Sequence, residues 1–303
     1  GGSTPETCCH VCYVARTAGS GMVQSDSGTD EVGRICPLVL GVGGEVGATV
    51  KQLHTELTAA GYRADVSQAV LDDLKKSTEH FAGVQVSSDS SPLKPQRFFH
   101  ELQQAMPEDS LLQVDIGQNF FWSLRGFASR QGQFYGTWGT QSMGVGAAGV
   151  IGLSVARPGV RTVCVCGDGS MQMNGAEVAT AVNYGLPITW VVFVDGRLNM
   201  DYLLQGLMYG ERYVDTTMES PDFSAWAEAF GARGYSVSSP SELRPTLGAA
   251  LSGNGPAVVD LKVDPDEILP IKPRALLMAK KMGLDITDTP VTSRAFRKLL
   301  DEK

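Results

Sequence analysis

From about residue 92 onward, short apolar runs bounded by Gly, Asp or Pro alternate with segments whose apolar residues recur at helical spacing. LLQVDI (111–116), TVCVC (162–166), ITWVVFVD (188–195), GYSV (234–237) and AVVDLKV (257–263) predict strands. Around them, PQRFFHELQQAM (95–106), SMGVGAAGVIGLSVA (142–156), NGAEVATAVNYG (174–185), DFSAWAEAFGA (222–232) and SELRPTLGAALS (241–252) predict helices. In the first of these Phe98, Phe99, Leu102 and Met106 share one stripe. Strands alternating with helices predict an α/β fold, a doubly wound, mostly parallel sheet covered on both faces. Such a sheet binds ligands beyond the carboxyl ends of its strands. Cys164 and Cys166 alternate with Val163 and Val165, so they read as small apolar side chains in a buried strand.

The stretch before residue 92 has a different pattern. MVQSD and CPLVLGV predict short strands and GEVGATVKQLHTELTAAG (44–61) a helix. Residues 1–61 are too short for a sheet covered on both faces, and they read as an incomplete α/β domain. Residues 62–91 are polar and end in the Ser-rich VSSDSSP, as a linker would. Residues 92–270 form the main domain. Residues 271–303 carry IKPRALLMAKKMG and a charged end, read as a C-terminal arm.

Charge and composition narrow the functional classes. Twenty-five basic residues against 33 acidic ones leave a net charge of −8, which argues against a nucleic-acid surface. No apolar run of membrane-spanning length and no basic-then-apolar leader is visible, so a cytoplasmic protein is expected. Cys8, Cys9 and Cys12 crowd with His10 into CCHVC, and Cys36 follows. A structural zinc site wants two spaced ligand pairs, and the second pair is missing; reduced thiols are the plainer reading. GVGGEVG (41–47) and GVGAAG (144–149) resemble dinucleotide fingerprints, but neither is followed by an acid ending a second strand about 20 residues on. The first reads as a loop entering a helix and the second as close helix packing. His10, His54, His80 and His100 all lie away from the predicted site and receive no catalytic task.

The chemistry concentrates where TVCVC runs into Gly167-Asp168-Gly169-Ser170. Asp195 follows 27 residues later at the end of the next strand, before Gly196 and Arg197. Two carboxylates at the ends of two parallel strands can converge on one point above the sheet. Glycines beside Asp168 let backbone amides approach a phosphate, and the following helix N-terminus favours anions. Carboxylates, a backbone carbonyl and phosphate oxygens suit a hard octahedral ion such as Mg2+. The pattern points to a metal-bridged diphosphate.

GDGSMQMNGAEVATAVNYGLPITWVVFVDGRLNM resembles the thiamin-diphosphate (ThDP) binding motif of the acetolactate synthase family. The resemblance extends to SPLKPQRFFHELQQAMPEDSLLQVDIGQNFFW, GTWGTQSMGVGAAGVIGLSVARPG, DFSAWAEAFGARGYSV and GPAVVDLKVD, and covers residues 92–270. Upstream, residues 22–53 resemble the last part of that family's central domain. Aspartate at 195, where most members have Asn, is similar to the catabolic, FAD-independent type. The resemblance implies that Asp168, Asp195 and the carbonyl of Arg197 hold Mg2+. It also implies a cofactor surface made of Gly117, Gln118, Asn119, Gln141, Met143, Gly167, Gly169, Ser170, Met171 and Met200. Met143 would prop ThDP in its bent shape, and Asn119 stands where a His is usual. The extra charge at Asp195 should make cofactor binding more dependent on the metal, because the acids and the diphosphate repel one another.

The implied activity is that of a 2-oxo acid decarboxylase/carboligase, a transferase or lyase. It would decarboxylate pyruvate or a related acid and add the enamine to an acceptor carbonyl, simple decarboxylation being the near alternative. Leu204 stands where 2-oxobutyrate-preferring enzymes carry Trp. Gln141, Leu204 and Tyr202 are the positions in this chain expected to distinguish substrates. In the family a Glu on a separate pyrimidine-binding domain activates the cofactor, and nothing in this chain resembles that domain. Half a site is therefore expected, completed by another subunit or by a missing N-terminal half within a homo- or hetero-oligomer. A non-catalytic ThDP-binding or interaction subunit is the competing reading.

Overall fold

The computed structural model describes residues 23–34, 37–63, 68, 71–72, 86–137 and 141–267. The CCHVC cluster, Cys36, His80, the arm 271–303 and most of the linker 62–91 lie outside the described residues. The chain divides into two compact units.

In the first unit, β1 (Val23–Asp26) pairs in parallel with β2 (Leu40–Gly43), and α1 (Val46–Ala59) follows directly. Glu45 caps α1, its carboxylate accepting from the amides of Gly47 (2.9 Å) and Ala48 (2.7 Å). Those amides are the donors an anion would use, so GVGGEVG is a self-capped loop into a helix, as expected. Val46, Val50, Leu53 and Leu57 recur at helical spacing along α1, and all four are exposed.

The second unit carries a six-stranded sheet in which every pairing is parallel. Its strands are β3 (Leu111–Val114), β4 (Phe134–Gly136), β5 (Thr162–Gly167), β6 (Ile188–Val194), β7 (Arg233–Val237) and β8 (Ala257–Lys262). Their spatial order is β4-β3-β5-β6-β8-β7. The helices are α2 (Pro95–Ala105), α3 (Gln118–Gly126), α4 (Val145–Ala156), α5 (Asp168–Asn174), α6 (Glu177–Tyr184), α7 (Asn199–Tyr209), α8 (Phe223–Ala229) and α9 (Pro240–Ser252). The α/β class with a mostly parallel sheet is as the sequence predicts.

Strand alternation sorts the core into two layers. Val163, Val165, Val191, Phe193, Val259 and Leu261 face one side, with Phe98, Phe99, Leu102, Leu243 and Leu247 from α2 and α9. Cys164, Cys166, Trp190, Val192 and Val258 face the other, with Ala147, Val150, Met171, Val178 and Phe223 from the helices there. Both cysteines are free and fully buried, as their alternation with valine predicts. The Phe98 ring meets Phe99 and Phe193 edge-on at 5.0 Å, while Trp190 donates its indole N–H to the Ala147 carbonyl at 2.9 Å.

Helices α2 and α9 are tied through buried Glu101, which accepts from Arg97 Nε (3.0 Å) and Arg244 Nε (2.7 Å). Three elements were not read from the sequence. In α3, Phe120, Phe121 and Trp122 are consecutive and hide the helical period; β4 has only three residues; and α7 directly follows the second acid of the motif.

Candidate cofactor and metal site

The connection after β3 runs outward to the edge strand β4, whereas that after β5 runs the other way to β6. The carboxyl ends of β3 and β5 therefore flank a crevice, the usual binding place in an open parallel sheet. Asp115 and Gly117-Gln118-Asn119 end one wall, and Gly167-Asp168-Gly169 ends the other. β6 pairs with β5 and brings Asp195 and Arg197 alongside.

Asp168 is almost fully buried. Its Oδ1 accepts from the Gly169 amide (2.9 Å), and its Oδ2 accepts from the Gly196 amide (2.9 Å) and the Ser220 hydroxyl (2.6 Å). Asp195 accepts from the Arg197 amide at Oδ1 (3.1 Å) and from Asn199 Nδ2 at Oδ2 (2.7 Å). Burial, and then the neighbouring charge of Asp168, push the Asp195 carboxyl up to about 7, against the pull of Asn199 and Arg197. The two acids thus lie close enough to repel one another.

The segment after α7 returns over this point. Leu198 N–H donates to the Thr216 carbonyl and Met218 N–H to the Gly196 carbonyl, both at 2.9 Å, and Arg197 bridges Thr217 in antiparallel fashion. In that pattern the flanking residues make the bonds, which leaves the Arg197 N–H and C=O turned away from Thr217. The N–H goes to Asp195. The Arg197 guanidinium reaches away to Asp266 (2.8 Å) and the Pro265 carbonyl (3.3 Å), and covers the Tyr202 ring at 4.3 Å. Tyr202 in turn stacks on Tyr213 at 3.9 Å and 3°.

Met143 lies over the Asp168 turn. Gln141 and Gly144 take left-handed φ values of 54° and 82°, which sets Met143 at the tip of a tight bend ahead of α4. A Cβ placed on Gly169 would fall 2.9 Å from Met143 Cε and 2.8 Å from Leu198 Cδ2, so a larger residue there would push these side-chain ends aside. Gly146 is equally tight against the Cα of Asp115 (2.8 Å), which makes GVGAAG a close-packing turn as expected. The Asp115 carboxylate accepts from the Ile116 (2.7 Å) and Ala147 (3.3 Å) amides, so it fills the start of α4 itself.

Several predicted cofactor residues are positioned differently from a simple lining. Met171 is fully buried, its side chain in the core layer with Cys164 and Cys166. Asn119 is buried and spends its Nδ2 on the carbonyls of Asp115 (2.9 Å) and Val165 (3.3 Å), stitching the ends of β3 and β5. Gln118 reaches the Asn199 carbonyl at 3.4 Å, Ser170 is buried, and Met200 is half-buried on the first turn of α7. Gly117 caps α3. Sequence reasoning missed Ser220, Asn199 and Asp115. Asn199, four residues past Asp195, carried a local signal; Ser220, 52 residues past Asp168, carried none.

The donor set fits a hard divalent ion. Among the described residues no three His, Cys, Asp or Glu side chains converge on one point, and carboxylate and carbonyl oxygens are the donors such an ion takes. A separate hollow of about 820 Å³ opens at the opposite, amino end of the strands, lined by Pro107, Ser154, Arg161, Leu186 and Gly255 among others. There Arg161 is committed to the carbonyls of Gly253 and Gly255, and none of the motif residues approaches.

Residues 115–261 match the family described as thiamine pyrophosphate enzyme, C-terminal TPP binding domain. This part of the chain belongs to that family. The TPP-binding domain is of the acetolactate synthase type. The chain is 34% identical over 193 residues to a probable acetolactate synthase large subunit of Methanocaldococcus jannaschii, covering 61% of this chain and 33% of that protein. It is 32% identical over 176 residues to the acetolactate synthase isozyme 2 large subunit of Escherichia coli (57% and 32%). Against the catabolic acetolactate synthase of Raoultella terrigena it is 31% identical over 224 residues (73% and 40%). The chain thus spans about a third to two fifths of the length of these relatives. No helix among the described residues is long and apolar enough to cross a membrane.

Proposed function

We propose that the second unit binds thiamin diphosphate through Mg2+ and is one half of a 2-oxo acid decarboxylase/carboligase. The observation that carries this is the pair of mutually repelling carboxylates at the ends of β5 and β6, Asp168 buried and Asp195 partly buried, with Asp195 pushed up to about 7. Such a pair is costly unless a cation joins it. Asp168, Asp195 and the Arg197 carbonyl would hold the ion, and the amides at Gly117 and Gly169 would approach the phosphates. Met143 and Leu198, which close on Gly169, offer an apolar wall beside them. Gln118, Gln141, Tyr202 and Leu204 stand around the same end of the sheet as candidates for substrate contact. Bound ThDP supplies the carbanion stabilisation that loss of CO2 from a 2-oxo acid requires.

The activating glutamate and the pyrimidine-binding domain would come from another polypeptide or from further sequence. The length of the relatives and the uncovered apolar stripe of α1 support an arrangement in which this chain is one piece of a larger assembly. The test has two parts. Calorimetric titration of ThDP should show binding with Mg2+ that falls at least about tenfold in Asp168→Ala. A pull-down from the native extract should then recover a pyrimidine-domain protein and acetolactate formation from pyruvate. ThDP binding that is indifferent to Mg2+ and to Asp168→Ala would sink the proposal.

A further inference from the structure

We propose that Ser220 is a positioning residue that restricts Asp168 to a one-oxygen metal ligand and so sets a preference for Mg2+ over Ca2+. The inference rests on Asp168 being a metal ligand and adds what selects the ion. Each carboxylate oxygen offers about two lone-pair positions. On Asp168 Oδ2 both are taken, by the Gly196 amide at 2.9 Å and the Ser220 hydroxyl at 2.6 Å. On Oδ1 one is taken, by the Gly169 amide at 2.9 Å. Asp168 therefore has one open position, and it is on Oδ1.

Mg2+ asks for single oxygens in a strict octahedron, whereas Ca2+ takes six to eight oxygens and readily accepts both atoms of one carboxylate. Holding Oδ2 denies the larger ion that second oxygen. The hydroxyl is not delivered by a loose loop. Residues 216–220 are fastened to residues 196–198 by the paired backbone bonds at Thr216 and Met218, beside the Arg197 carbonyl. Ser220 is partly buried there, and its short bond to Asp168 is protected from water. Gly196 alone cannot fill Oδ2, because a backbone amide has one proton to give.

The experiment titrates Mg2+ and, separately, Ca2+ into the full chain with ThDP held constant, reading affinity by calorimetry. Wild-type protein, Ser220→Ala and Ser220→Thr are compared. Ser220→Ala should narrow the Ca2+-to-Mg2+ ratio of Kd values by about tenfold, and Ser220→Thr, which restores a hydroxyl, should keep it. Equal weakening of both ions in Ser220→Ala, with the ratio unchanged, would mean a merely structural loop contact and overturn the proposal. Wild-type protein that takes Ca2+ as tightly as Mg2+ overturns it without any variant. Binding of neither ion by wild type defeats the reading of Asp168 as a ligand, and the inference falls with it.

Discussion

Asp115 illustrates how much of this site is built from residues that do not face it. Its carboxylate closes the amino end of α4, and burial pushes the carboxyl up even though amides pull it the other way. Asp115→Ala should cost about 1–3 kcal/mol, since buried amides would lose their acceptor; urea denaturation will measure it. Gly169→Ala should leave the fold intact but drive Met143 and Leu198 outward, lowering ThDP affinity roughly tenfold, about 1–2 kcal/mol. Unchanged affinity in that variant would remove Met143 from the cofactor wall. That Asp168, Asp195, Gly169 and Met143 come close together was legible because motif spacing and glycine placement are local properties of a sequence. Ser220 was not, because its partner is brought to it by a return of the chain over the sheet. The core packing of Met171 was hidden for a related reason: neighbours in a motif share a helix turn, and on one turn a residue can face the core while another does not.

Elements were legible wherever burial imposes a period. The strands β5, β6 and β8 are buried on both sides and read as mostly apolar runs, broken in β8 by Asp260, and α2 and α9 carry clear stripes. Where burial is partial or the element short, as in β4 and α7, the pattern fails. The α2–α9 contact also carries a pH dependence. Burial raises the Glu101 carboxyl, but Arg244 and then Arg97 outweigh it and hold the group below the ordinary glutamate range. A depressed carboxyl contributes stability that is complete above its unfolded pKa and is lost as pH falls through the folded one. Glu101→Gln should therefore be less stable than wild type at neutral pH by about 1–2 kcal/mol. The gap should close as pH drops below about 4, the ordinary glutamate range. Thermal melts at pH 7 and pH 3 will show this, and a gap that widens on acidification would refute it.

At the scale of the molecule, the chain spans about a third to two fifths of its relatives' length, and under the proposed function the activating glutamate comes from further polypeptide. The chain alone should turn over pyruvate well below ~1 s⁻¹, the low end of ordinary enzymes. A missing acid–base partner alone costs on the order of 10²–10⁴ in rate. Homogeneous protein that works faster by itself would show that this chain completes its own site. The sheet order has a consequence for how the chain is made. β8 is the last of the described strands in sequence, yet it lies between β6 and β7. While the chain emerges from its amino end, β7 has no partner at all and β6 shows an open edge on the side later taken by β8. At ~5–20 residues per second the gap before β8 arrives lasts about a few seconds. Throughout that interval two strands with unpaired backbone N–H and C=O groups stand ready to pair with a neighbouring nascent chain. Production of this protein should therefore suffer most where ribosomes are crowded on one message, and a pause between β7 and β8 should lower the yield of folded material.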